Sequence, residues 1–161
     1  MRVRAMSARY AAATDVSSDR SRAEIERTLT RYGADQFAYM ASRERAVIAF
    51  VIEGRQVRFV LTLPDRHDRE FTHHSRGART ASAAEAAYEQ AVRQRWRALA
   101  LVVKAKLEAV EAGIVTFEQE FLAHMVLPGG RSVFDVVAPA VEQAYATGDT
   151  SGLLQLTAGA P

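Results

Sequence analysis

Apolar and polar positions divide the chain into blocks of different period. Ser21-Arg22-Ala23-Glu24 has the S-x-x-E spacing of a capping box, in which the serine hydroxyl accepts from the glutamate amide and the glutamate reaches back to the serine amide. Ile25, Leu29 and Tyr32 follow near helical spacing, and Gly33 suits the left-handed position that ends a helix. A first helix over about 22–32 is the expectation.

Three runs of strand character come next. Gln36 to Met40 carries Phe37 and Tyr39, Ala46 to Ile52 is apolar on both faces, and Val57 to Leu63 alternates Val57, Phe59, Leu61 and Leu63 with Arg58, Val60 and Thr62. Glu53-Gly54-Arg55-Gln56 holds the glycine that a tight hairpin needs. The middle run, apolar throughout, belongs at the centre of a meander, with both of its faces buried.

A long polar connection, Pro64 to Thr80, separates the strands from the next periodic block. Connections this long without elements of their own are usually functional or disordered. Ser82-Ala83-Ala84-Glu85 then forms a second capping box. From about Ala83 to Ala112 no Pro or Gly interrupts a stripe of Tyr88, Val92, Trp96, Leu99, Val103, Leu107 and Val110, and Gly113 closes it. That predicts a helix of about 30 residues, or about 45 Å.

Thr116-Phe117-Glu118-Gln119 is a third box, opening a helix with Phe117, Phe121, Leu122 and Met125 that Pro128-Gly129-Gly130 ends. Ser132 through Tyr145 reads as one or two helices, with Pro139 starting the second, because a helix interior loses a hydrogen bond at proline. The fold class is therefore α+β: an N-terminal helix, a three-stranded antiparallel meander, one long helix, then short C-terminal helices. The expected organisation is a mobile arm over 1–17, a single domain over 18–148 and a frayed tail over 149–161.

Composition narrows the chemistry. A chain of 161 residues with 48% apolar residues needs no staple to hold a core, and the absence of cysteine removes disulfides, thiolate metal sites and thiol nucleophiles together. The first residues lack the apolar run of a signal peptide, and no run reaches the length of a membrane span, so a cytoplasmic location with no membrane contact is expected.

The net charge is only +2, yet it is unevenly spread. Residues 54–106 hold 11 Arg and Lys against 5 Asp and Glu, whereas residues 107–161 hold 1 against 7. Such asymmetry suits either a polyanion on the basic middle or self-association of opposite halves. Arg55 and Arg58 of the hairpin, Arg66, Arg69, Arg76 and Arg79 of the long connection, and Arg93, Arg97 and Lys104 of the long helix form the candidate nucleic-acid-binding set. The last three fall within about 40° of one another beside the apolar stripe, while Arg95 and Lys106 edge its other border. If hairpin and helix faces converge, they make a groove for a nucleic-acid backbone, since guanidinium groups offer phosphate a planar fork of donors. The competing account is that arginine stems snorkel over the core and face water.

Asp65, His67, Asp68, Glu70, His73 and His74 crowd the same connection, a spacing that permits a hydrolytic metal without specifying one; a solvated loop is the simpler reading. Trp96 sits mid-stripe and reads as core. Pro128-Gly129-Gly130 lacks phosphate-loop spacing, and no nucleophile elbow or zinc-protease signature occurs. Neither catalysis, a cofactor nor a bound metal is expected.

Ala91–Pro128, together with Ile52–His73, resembles a family of phage and prophage proteins of no assigned activity, over about residues 25–148. In element order alone, three strands followed by a long helix resemble the β-β-β-α core of phage single-strand annealing proteins, which form oligomeric rings and hold DNA in a basic groove. The basic balance over 54–106 gives the expectation of a phage-type accessory protein that binds nucleic acid through the Arg-rich hairpin, connection and long helix, and the likeness to annealing proteins adds single-stranded DNA as the form of nucleic acid and a homo-oligomer as the assembly. The alternative is a protein-interaction module with a host or phage protein as partner, such as an inhibitor of a host enzyme, or a self-assembling domain whose acidic C-terminal helices meet the basic middle of a neighbour.

Overall fold

The structure, a computed structural model, describes residues 18–155, so the expected arm over 1–17 and the last six residues of the tail lie outside the described residues. Helix α1 covers 18–31 and buries Ile25 and Leu29. It already includes Ser21, so the box expected at Ser21 is not its cap. Its end is as expected: Gly33 takes φ +88°, and the Ala34 amide donates back to the Leu29 carbonyl at 3.0 Å.

β1 (Gln36–Ala41), β2 (Arg45–Ile52) and β3 (Arg55–Thr62) form the antiparallel meander in the order β1-β2-β3. Glu53 and Gly54 join β2 to β3 with φ of 50° and 74°, the paired positive values of a two-residue hairpin. Register places Phe37 opposite Phe50 and Tyr39 opposite Ile48, while Phe50 faces Val57 and Ile48 faces Phe59. All of these side chains share one face, with Ala46, Ile52 and Leu61, and that face is the floor of the core.

α3 (Ala81–Glu111) lies over this floor as 31 continuous helical residues. Its cap is Thr80, whose hydroxyl accepts from the Ala83 amide; the expected cap at Ser82 lies inside the first turn. Tyr88, Val92, Trp96, Leu99, Val103 and Leu107 are buried as the stripe predicts. Trp96 meets Tyr39 of β1 with ring centroids 5.6 Å apart, and the Arg22 guanidinium of α1 lies 4.4 Å from the centroid of the Tyr39 ring.

The connection before α3 is ordered and has elements of its own. α2 (Arg69–Thr72) and a two-residue hairpin, β4 (His73–His74) with β5 (Gly77–Ala78), occupy it. Phe71, buried edge-on against Tyr88 at 5.7 Å, pins it to α3. One apolar residue in a polar stretch supplies that anchor, a signal too small to outweigh the length of the segment.

α4 (Phe117–Phe121) opens with the expected box at Thr116 and Gln119. Phe121 enters an aromatic cluster edge-on to both Phe50 and Phe59. A 3-10 turn, Leu122–His124, leads to Met125 and Val126, which run beside β3: Met125 bridges Val57, and the Val126 amide donates to the Gln56 carbonyl at 2.8 Å. α5 (Val133–Thr147) is then a single helix with Pro139 inside it, and not the break expected there. The carbonyl that proline leaves without a helical donor belongs to Asp135, and the Arg131 guanidinium donates to it instead. After Gly148, α6 (Ser151–Gln155) begins behind Asp149, whose carboxylate accepts from the Ser151 amide at 2.8 Å; the first part of the expected frayed tail is thus helical.

Candidate interaction surface

The nine candidate cations do not converge. Arg58 alternates outward on β3, on the face of the sheet opposite α3, and its guanidinium lies 3.8 Å from the Asp135 carboxylate of α5. Arg55 is exposed beside the β2–β3 turn. At 100° per residue from Trp96, Arg93, Arg97 and Lys104 lie about 60–100° to one side of the α3 stripe, and Tyr88, Arg95 and Lys106 about 80–100° to the other. Arg95 donates to the Thr62 carbonyl at the end of β3, and Lys106 reaches α4, so this second border faces β3. The first border faces α1, whose Arg31 lies within electrostatic reach of Glu108 and Glu111.

Several of the cations already have partners. Arg93 pairs with buried Glu89 at 3.8 Å and Lys104 with Glu108 at 3.7 Å. Arg66 lies 3.4 Å from Glu85 and 4.8 Å from the centroid of the Tyr88 ring, while Arg79 donates to the His73 carbonyl and so braces the β4–β5 hairpin. Arg69 and Arg76 project from the same ordered connection, exposed. The groove expected between hairpin and helix is therefore not formed, because the pleat sends Arg58 to one face of the sheet while α3 lies on the other. Sequence spacing orders residues within an element but does not say on which side of the sheet a later helix will lie.

Two of the acidic and imidazole groups of the connection serve local turns. The Asp65 carboxylate accepts from the His67 amide at 2.9 Å, and His74 Nδ1 accepts from the Arg76 amide at 3.0 Å. Among the described residues no group of three or more His, Asp or Glu could hold a metal ion. Beside this connection an open cleft of about 670 Å³ is lined by Arg43, Glu44, Asp65, Arg66, His67 and Tyr88 among others; the two arginines are matched by the two carboxylates, so its lining favours neither sign of ligand.

His124 and Lys106 form a polar inclusion at the core's edge. Lys106 donates to the Glu120 carboxylate at 2.8 Å and to the Glu120 carbonyl at 3.2 Å. His124 stacks on Phe59 at 4.1 Å, and burial first, then the Lys106 charge, lowers its pKa below the usual histidine value. A neutral imidazole against an aromatic ring is a packing arrangement, in line with the ordinary role of a lone helical histidine.

The surface without an evident internal use is apolar. Met40, Val47 and Val60 form one cross-strand row on the outer face of the sheet, with Met40 68% and Val60 55% exposed. Ala38 and Ala49 make a shallow row next to it, and Val51 lies beyond. The middle strand, expected to be buried on both faces, is buried on one and only half-buried on the other.

α5 adds to this surface. None of its fifteen residues is buried, although Val, Ala and Phe dominate them. Phe134, Ala138, Val141 and Tyr145 fall within about 60° of one another on the helix. Phe134 is 61% and Tyr145 90% exposed, so both ends of this stripe stand in solvent. The i, i+4, i+7, i+11 spacing was available in the sequence, but a stripe does not reveal whether it covers its own core or another chain's. Among the described residues no helix is long and apolar enough to cross a membrane.

No family model matches the chain, and no curated protein or solved structure does so either.

Proposed function

We propose that this chain is an interaction domain that works by docking on another protein chain through the outer face of its sheet and the Phe134–Tyr145 stripe of α5. The observation that carries the reading is the fifteen-residue helix with apolar composition and no buried residue. Single exposed apolar side chains are ordinary, whereas a contiguous set on a helix and an adjacent sheet marks a contact surface. Catalysis has no place in this reading, and the ion-paired arginines act as solvated rims.

The test compares the full chain with a Val60→Asp, Tyr145→Asp double variant, each immobilised and exposed to lysate of the native cell. Both positions are exposed, so the variant keeps its fold, which circular dichroism verifies. Proteins retained by the parent chain and lost by the variant support docking through this surface. Equal retention by both refutes it.

A second reading, nucleic-acid binding, has one favourable observation: Arg69 and Arg76 project from an ordered segment that also carries Arg66. Phosphate contacts by these three predict affinity for oligonucleotides that drops steeply as salt rises, and drops again when all three become alanine. No binding at low salt eliminates this reading without touching the first.

A further inference from the structure

We infer that the partner is a second copy of this chain, and that two copies exchange α5 across a twofold axis, each laying its Phe134–Tyr145 stripe on the outer sheet face of the other. The inference rests on the docking reading above and identifies its occupant.

Charge gives the first argument. The outward positions of the sheet are Gln36, Ala38 and Met40 on β1, Arg45, Val47, Ala49 and Val51 on β2, and Gln56, Arg58, Val60 and Thr62 on β3: two cations and no carboxylate. α5 carries Asp135 and Glu142 and no cation, and at 100° per residue both acids lie about 80–100° from Phe134, along one edge of the stripe. With Arg58 and Asp135 already paired within each chain, Arg45 on the face and Glu142 on the edge of the stripe are left to pair between copies, the arrangement that charge complementarity favours.

Dimensions give the second. The eight residues of β2 or β3 span about 26 Å, and three strands about 14 Å. The fifteen residues of α5 span about 22 Å, with a diameter of about 10 Å. The helix therefore fits along the face, over the shallow Ala38–Ala49 row. Asp135 and Glu142 are about 10 Å apart along α5, and Arg58 and Arg45 about 13 Å apart along their strands, within the reach of arginine stems.

Position gives the third. The Arg58–Asp135 pair ties the first turn of α5 to the outer face of its own sheet, so helix and face lie on the same side of the molecule. A twofold axis beside that pair brings each helix over the other copy's sheet, and the contact closes on itself as an isologous dimer. Arg45 and Glu142, neither in an ion pair among the described residues, then meet across the axis. Counting both sheet faces and both helices, the footprint is on the order of 1,000 Å², the lower bound for a specific dimer. Each sheet becomes the middle layer between its own α3 and a neighbour's α5.

Sedimentation velocity and light scattering on the full chain, up to about 100 µM to cover a modest dissociation constant, test the inference. The expected species is a dimer of the 17.7 kDa chain. Val60→Asp and Tyr145→Asp should each weaken it at least about 10-fold, because either charge enters both contacts of the homodimer. Mixing the two variants should restore dimer, since the mixed pair keeps one contact with an unaltered sheet and an unaltered helix. Arg45→Glu and Glu142→Arg should each weaken the dimer and together restore it. A parent chain that stays monomeric overturns the inference while leaving the docking reading to the capture experiment. A dimer indifferent to both variants, or variants that fail to complement on mixing, overturns the reciprocal exchange.

Discussion

Replacing Trp96 by alanine tests whether α3 is held by the core or by a partner. Trp96 is 2% exposed and lies between the sheet and the body of the helix, in contact with Tyr39. A buried indole removes about 200 Å² from water, which at about 25 cal/mol per Å² corresponds to about 5 kcal/mol. Measured losses for truncating buried aromatics fall at about 3–5 kcal/mol, and 4 kcal/mol or so is the working value. With a urea slope of about 2 kcal/mol per M, the unfolding midpoint should fall by about 2 M. Because domains of this kind are stable by only about 5–15 kcal/mol, part of the variant population can be unfolded without denaturant. Trp96→Phe, which keeps a ring against Tyr39, should lose less and stay folded. Equilibrium urea unfolding followed by far-UV circular dichroism reads all three proteins without relying on the indole signal. Arg97→Ala, exposed one position along, should change stability by no more than about 0.5 kcal/mol. A Trp96→Ala midpoint within about 0.5 M of the parent would refute the packing argument, because an indole in contact with the core cannot be removed that cheaply.

Gly54→Ala should cost about 1–2 kcal/mol by the same assay, since Gly54 holds φ +74° with nothing within 4 Å of an added Cβ, so the loss is conformational and not a clash. Gly54→Asn should recover part of it. His124, whose pKa is lowered by burial and then by Lys106, makes stability sensitive to mild acid. Below its unfolded value of about 6.5 the unfolded chain takes up a proton that the folded chain resists, so stability is full above that pH and declines as pH falls toward the lowered folded value. Urea midpoints between about pH 8 and pH 5 should show this decline, and His124→Phe should flatten it; an unchanged slope in the variant would assign it to other groups.

What could be read without a structure was whatever local periodicity encodes. The meander, its tight turn at Gly54, the uninterrupted α3 and its Trp96 stripe all follow from alternation, a glycine in the right place and a spacing of three and four. Caps were partly legible: Thr116 and Gln119 work as expected, while Ser21 and Ser82 fall inside helices, because a serine with a glutamate three residues on fits several starting points and packing chooses among them. Pro139 lies inside one helix, and does not start a second, for a related reason. The cost of a proline inside a helix depends on whether another donor reaches the orphaned carbonyl, and Arg131, eight residues earlier, supplies it.

The interaction surface belongs to the tertiary structure. Period two divides β2 into two apolar faces but does not say which one α3 will cover, and only that choice leaves Met40 and Val60 in solvent with Val47 half-buried between them. Arg58 and Arg93 belong to one basic stretch of sequence, yet the pleat and the helix crossing send them to different sides of the molecule. Sequence alone determined the meander, α3, the core stripe and the charge imbalance, since each depends on neighbours within one or two turns. The tertiary structure decided which apolar faces meet one another and which are left over, because that depends on contacts between residues far apart in the chain.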